Sequence, residues 1–230
     1  MDTLVQYTLT NNVATLTLDD GKANVFSVEM IAAINKALDR AEQEAGAVVI
    51  GGRPGMMSAG FDLRVIQSDP EATRVMVGSG GDLLVRMFLF PLPVVIASTG
   101  HAIGAGALLL LAADHRLSTD DDCKIVLNEV SAGLPLPGFG VELARARISN
   151  TSLTQAVFFS NIYDPRAARE VGFIDEVVTS EKLQAVAQQT AEELAQLDRG
   201  VFSTVKRSFR GEIVEKIAVH PKIDINSVGG

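Results

Sequence analysis

The chain of 230 residues has no tryptophan, few other aromatics and one cysteine, Cys123. A lone cysteine cannot close an internal disulfide or build a thiol-rich metal site. It fits a reducing compartment, and a cytoplasmic location is expected. Aromatic residues make up 5% of the chain, and the formal charge is −8 with no long basic run. Both observations argue against a nucleic-acid partner, which needs phosphate-neutralising cations and stacking surfaces. Long hydrophobic runs are also missing. The longest candidate, Ala102 to Ala113, has about 12 residues, whereas a membrane span needs about 20. Met1-Asp2-Thr3-Leu4 lacks the basic region that opens a signal peptide. His101, His115 and His220 show no metal-ligand spacing. Asp120-Asp121-Asp122 lacks the spacing of a calcium loop, and no Gly-x-Ser-x-Gly elbow is present. No metal, no membrane partner and no serine hydrolase of that type are therefore expected.

What the chain does have is ample apolar surface: 47% hydrophobic against 21% charged residues. That excludes disorder as its main state and is enough for one large domain, or a core with a small appendage. Leu4 to Leu9 and Val13 to Leu18 alternate around Asn11-Asn12 and predict a hairpin. Ser27 suits the N-cap of an amphipathic helix reaching about Glu44. Ala47 to Ile50 and Val94 to Ala97 are all-apolar runs, the mark of strands buried on both faces. A helix is expected from about Glu71 to Phe90, ended by Pro91 and Pro93. Gly51 to Gly60 and Gly100 to Gly106 read as loops, each leading towards a helix. Strand-like segments near His115 to Ser118 and Ile174 to Val178 continue the alternation, which predicts an α/β fold with mostly parallel pairing. Helices are expected over 141–148, 152–159, 165–171, 181–197 and 201–217. Residues 1–180 are read as the core and 181–230 as a C-terminal helical region.

Three segments could carry chemistry. Ser58-Ala59-Gly60-Phe61-Asp62-Leu63 joins a strand to a helical turn, where small residues admit a ligand and free N–H groups can receive negative charge. An ordinary strand-to-helix turn, with Asp62 favouring the helix dipole, would read the same way. Gly100 to Ala107 repeats the arrangement. It also imitates a dinucleotide fingerprint, but Leu109 stands at the third glycine position. Glu129 lies among apolar residues before a Gly/Pro loop that runs from Gly133 to Gly140. Desolvation there would raise its pKa, as suits a general acid or base; a hydrogen-bonded structural Glu is the plainer alternative. His101 and Cys123 read as structural.

Taken together and in this order, the three segments resemble the crotonase family of enoyl-CoA hydratases and isomerases. The resemblance extends from Ala14-Thr15-Leu16 and Lys22-Ala23-Asn24, through Ala113-Asp114-His115-Arg116, to the C-terminal helices. It implies a spiral of ββα units, with the backbone N–H groups of Phe61 and Ala105 holding the thioester oxygen of an acyl-CoA. Ala59, Gly60, Asp62, Leu63 and Gly104 surround those donors; Lys22, Ala23 and Asn24 would lie along the CoA. Lys206 matches a position that reaches a CoA phosphate, often from a neighbouring subunit. Hydratases of the family use two glutamates; here the first position is Leu108 and the second is Glu129. One carboxylate suits proton transfer from C2 to C4 better than hydration, so a Δ3,Δ2-enoyl-CoA isomerase is expected ahead of a hydratase. Another crotonase lyase, a thioester hydrolase and a non-catalytic acyl-CoA binder are the remaining readings. No cofactor is implied beyond the CoA of the substrate, and a homotrimer or dimer of trimers is expected.

Overall fold

A computed structural model describes residues 4–219; His220 and the last part of the expected C-terminal region lie outside the described residues. Strands β1 (Val5–Thr10) and β2 (Val13–Leu18) pair antiparallel, with Thr10 opposite Val13. Asn11 and Asn12 turn the chain at φ 50° and 64°. Two left-handed residues make the mirror-image turn whose twist matches the strands it joins. Helix α1 (Val28–Glu44) starts where Met30 N–H donates to the Ser27 hydroxyl at 3.2 Å, and it buries Met30, Ile31, Ile34, Leu38 and Ala41 along one stripe.

From β3 (Ala47–Gly51) onward the chain repeats a short unit. Strand β3 is followed by β4 (Gly55–Ser58), α2 (Leu63–Ser68) and α3 (Pro70–Phe88). Then come β5 (Val94–Ser98), β6 (Gly100–Ile103) and α4 (Ala105–Ala112). The third unit is β7 (His115–Thr119), β8 (Ile125–Val126) and, after a loop, α5 (Gly138–Arg147). Each unit gives its first strand to one sheet, in the order β1-β2-β3-β5-β7 with a later strand, β9 (Glu176–Val178), at the far edge, and its second to another, β4-β6-β8. Apart from the β1–β2 hairpin the pairing is parallel. The result is the expected spiral of ββα units. A five-residue π-helical stretch (Thr154–Phe158), α6 (Pro165–Val171), β9 (Glu176–Val178), α7 (Ser180–Leu194) and α8 (Arg199–Val219) complete the described chain.

The second sheet corrects the sequence reading, which took residues 51–60 and 100–106 as loops and saw no strand at 125–126. These strands are two to four residues long, and β4 and β6 each open on a glycine. They are held by main-chain pairing, with Gly55 opposite Gly100, so no alternation of side chains marks them. The all-apolar runs behave as read. Ala14, Leu16, Val48, Ile50, Val94 and Ile96 pack into the main core, while Val13, Ala47, Val49, Val95 and Ala97 face Leu183, Ala187 and Ala191 of α7. Burial on both faces removes the need for polar positions. Helix α7 is thereby a layer over the central sheet.

Helix α8 is fastened by charge. Lys206 Nζ donates to Asp114 Oδ2 at 2.6 Å, and Arg210 lies 2.8 Å from Asp114 Oδ1. Arg210 also donates to the carbonyl of Phe88 and stacks its guanidinium 4.4 Å from that ring's centre. The Asp114 carboxylate in turn accepts from Val94 N–H at 2.8 Å. Burial pulls the Lys206 ammonium down to about 8 against the opposing pull of Asp114, so it stays mostly charged at neutral pH. Lys206, the residue expected to reach a CoA phosphate, has a side chain that is 3% exposed and paired with Asp114. Removing the shared anion would leave two cations stranded in a largely buried place. Asp114→Ala should cost about 3–5 kcal/mol of stability, read by denaturant unfolding, while the exposed neighbour change Arg207→Ala should stay within about 0.5 kcal/mol.

Candidate active site

Strands β4 and β6 lie side by side, so the turns that leave them, Ala59-Gly60-Phe61 and Gly104-Ala105, meet. The contact is main chain on main chain. A Cβ on Gly60 would stand 2.7 Å from the Ile103 carbonyl and 3.1 Å from the nitrogen of Ala105. Gly60 has φ +85°, and Gly104 has φ 54° with ψ −119°. Side chains strongly disfavour such conformations. The Ser58 hydroxyl ties this corner down: it donates to the Asn24 carbonyl at 2.7 Å and accepts from Gly60 N–H at 3.1 Å. Among the described residues, the hydrogen-bonding pattern provides no acceptor for the N–H of Phe61 or of Ala105. Phe61 follows Gly60, whose built Cβ would lie 3.1 Å from the Ala105 nitrogen, and Ala105 is also the first residue of α4, whose dipole adds positive potential.

The segment expected along the CoA borders this corner. Ala59 N–H donates to the Ala23 carbonyl at 2.9 Å, and Phe26 N–H to the Gly60 carbonyl at 2.7 Å. Lys22 is exposed. Asn24 is fully buried, and its carboxamide is spent on the Leu18 and Met57 carbonyls and the Asp20 N–H. It shapes the segment and has no free group for a ligand. Asp62 caps α2 and pairs with Arg64 at 2.7 Å, while Leu63 is 51% exposed.

Glu129 arrives from the other side. Strand β8 pairs with β6, and Gly104 N–H donates to the Val126 carbonyl at 2.9 Å. Residues 127–129 therefore leave the small sheet beside Gly104. The Glu129 carbonyl accepts from Ala132 and Leu134, which fixes its backbone. Its Oε1 lies 3.5 Å from where a Cβ of Gly104 would be, and Asn128 Oδ1 lies 2.9 Å from that point. Glu129 Oε2 is sealed from solvent and has no hydrogen-bond partner among the described residues. Loss of hydration without compensation pushes the carboxyl up to about 7. Leu108, one turn into α4, is fully buried, as is every residue of that helix. No ionisable group of α4 shares the site with Glu129.

Two glycines in the middle of α3 belong to the same assembly. A Cβ on Gly80 would meet the Phe61 ring at 2.5 Å, and one on Gly81 the Phe139 ring at 2.6 Å. Mid-helix glycine costs about 1 kcal/mol relative to alanine. That cost was the available signal of a close contact, and the sequence reading passed over it. His101 Nδ1 accepts from Lys124 N–H at 2.9 Å, in keeping with its structural reading. Cys123 is buried, its thiol raised to about 11 mainly by burial, and inert on that account. Among the described residues no acidic, His or Cys cluster could hold a metal ion, and no helix is long and apolar enough to cross a membrane.

The family profile described as enoyl-CoA hydratase/isomerase matches residues 8–226. This chain belongs to the enoyl-CoA hydratase/isomerase family. Among solved structures it is similar to an enoyl-CoA hydratase/isomerase family protein from Pseudomonas syringae, 38% identical with a TM-score of 0.91 over 94% of each chain. It is also similar to an enoyl-CoA isomerase of Mycobacterium tuberculosis, 33% identical with a TM-score of 0.91, covering 95% of this chain and 96% of that one. A probable enoyl-CoA hydratase of Bacillus subtilis is 27% identical over 215 residues, 87% of this chain and 83% of the relative.

A carboxyl raised in the folded state binds its proton more tightly there than in the unfolded chain. Its contribution to stability is present below the unfolded value, near 4.5, and is lost as pH rises through about 7. Glu129→Gln should therefore be more stable than the parent at pH 8, by about 1–3 kcal/mol, with the difference shrinking towards pH 5. Paired urea melts across that range check it.

Proposed function

We propose that this family enzyme is a Δ3,Δ2-enoyl-CoA isomerase. The observation that carries the reading is that Glu129 has one carboxyl oxygen sealed and unpartnered, while position 108 is a fully buried leucine rather than a second carboxylate. The thioester oxygen accepts hydrogen bonds from the N–H groups of Phe61 and Ala105. Glu129 removes a proton from C2, and the charge spreads onto that oxygen as a dienolate. Fixed dipoles stabilise such charge without reorganising, and losing one donor of this kind costs enzymes about 3–4 kcal/mol. The same carboxyl returns the proton at C4, moving the double bond from C3–C4 to C2–C3. A group near 7 is suited to both halves, because neither protonation state is strongly favoured at neutral pH. Ala59, Gly60, Gly104 and Leu108 wall the reacting atoms, and Lys22 and Ala23 lie along the CoA.

Hydration would need a second group to orient water. Leu108 offers none and helps to keep water away. Assembly as a homotrimer is part of the proposal. Val201, Val205 and Phe209 on α8 and Phe158, Phe159 and Ile162 beyond α5 are all at least half exposed, which is surface suited to a subunit contact.

Purified protein given a 3-enoyl-CoA should produce the conjugated 2-enoyl thioester absorbance, while trans-2-enoyl-CoA should be consumed slowly. Glu129→Gln should lower kcat by about 10²–10⁴-fold and leave acyl-CoA binding intact. The parent's kcat/KM should rise with pH through about 7, as the base form appears. Rapid hydration of trans-2-enoyl-CoA would make the enzyme a hydratase and sink the argument from Leu108.

A further inference from the structure

Among the described residues no donor on another residue reaches the Glu129 carboxylate, and its Oε2 is sealed and unpartnered. The head of the side chain therefore cannot fix its own place, and the backbone must. That backbone runs into a 3-10 turn, Val130–Ala132. The Ala132 N–H is shared between the Asn128 and Glu129 carbonyls, Gly133 N–H donates to the Val130 carbonyl and Leu134 N–H to that of Glu129. Such local bonds set the shape of the turn and not its position against the rest of the protein. One hydrogen bond among the described residues ties the turn to another element: Ser131 N–H donates to the Ser160 hydroxyl at 3.2 Å. Ser160 is buried and follows the π-helical stretch Thr154–Phe158. Phe159 N–H donates to the Thr154 carbonyl and Asn161 N–H to that of Gln155, and between them Ser160 stands at φ 50°, in the left-handed region. Glycine takes that conformation freely, whereas a residue with a side chain is strained there. Ser131 is exposed, so water could serve its N–H without help. Satisfying that donor does not need a strained serine; what the hydroxyl adds is position.

We infer that Ser160 is a positioning residue for Glu129: its hydroxyl docks the turn that follows Glu129 onto the end of the π-helical stretch. The inference rests on the proposed role of Glu129 as acid and base. A carboxyl that takes a proton at C2 and returns it at C4 has to reach two carbons in turn, so a small displacement is felt in kcat. Misplacement by about 1 Å costs enzymes about a hundredfold. A loosened turn also lets water reach the carboxyl and reverses the desolvation that raises it. Ser160 acts through the turn and not on the substrate, so acyl-CoA affinity stays the same.

The test uses Ser160→Gly, which removes the hydroxyl and relieves the backbone, alone and combined with Glu129→Gln. Alone it should lower kcat on a 3-enoyl-CoA by about ten- to hundredfold and leave the Kd for hexanoyl-CoA, measured by calorimetry, unchanged. Combined with Glu129→Gln it should leave the residual rate unaltered, because no carboxylate remains to be misplaced. The Glu129 carboxyl, followed by NMR against Glu129→Gln, should titrate at about 7 in the parent and closer to the ordinary carboxylate range in Ser160→Gly. Ser160→Ala, which keeps most of the bulk, should show the same losses, and it decides if thermal melts find the glycine variant unfolded. Parental kcat and titration in the Ser160 variants, or a rate loss repeated in full in the Glu129→Gln background, would overturn the inference alone. A displaced titration in a protein that isomerises nothing would support the positioning and count against the isomerase. Parental turnover in Glu129→Gln would overturn both.

Discussion

The structure depends on two strand-to-helix turns touching through their backbones. Everything at the site follows from the distance between Gly60 and Ala105, and that distance exists only because no side chain separates them. The constraint propagates outward. Strands β4 and β6 must pair in parallel to deliver both turns to the same end, so each needs a long return path through the first sheet and a helix. Gly106, on the first turn of α4, has to leave room for the Ser58 carbonyl. Asn24, at φ 49°, is spent entirely on holding the adjoining loop against the same corner. Much of the polar investment near the site is thus architectural and serves to place two N–H groups.

Charge is distributed to match. The front of α4 meets one carboxyl; the back meets cations. Arg147 donates to the carbonyls of Leu111 and Ala113 at the end of α4, and Arg210 to the last carbonyl of α3. Cations at helix C-termini complement the dipoles whose positive end, for α4, lies at the N–H of Ala105. Burial pulls Arg147 down to about 10, yet leaves it charged at neutral pH. Asp114 balances Lys206 and Arg210 on this side. The state of Glu129 is governed mainly by desolvation.

Much of this was legible in the sequence. The hairpin, the doubly buried strands, the cap at Ser27, the order of the units and the three chemical segments all rest on local signals of period or turn chemistry. The small sheet was not legible, because β4, β6 and β8 are too short for period. The burial of Lys206 was hidden for a related reason. Its helix looks amphipathic and basic, and nothing local reveals that Asp114, 92 positions earlier, waits beneath it. The ring contacts at Gly80 and Gly81 are equally non-local, although glycine in mid-helix hinted at them. Local rules see periodicity and turns; they do not see which distant side chain fills a gap.

The departure at position 108 is deeper than one residue. A carboxylate there would stand in a place with no exposure, beside Leu136 and Gly140, with no donor from the neighbours named above. An uncompensated buried charge is costly enough that such a group neutralises itself. A working pair needs donors and water to stabilise the second charge. This site has instead a leucine, a leucine from the loop packed on it, and a glycine that makes room for both. The surroundings of position 108 suit a buried aliphatic side chain, and Glu129 remains a carboxyl raised to about 7 by burial.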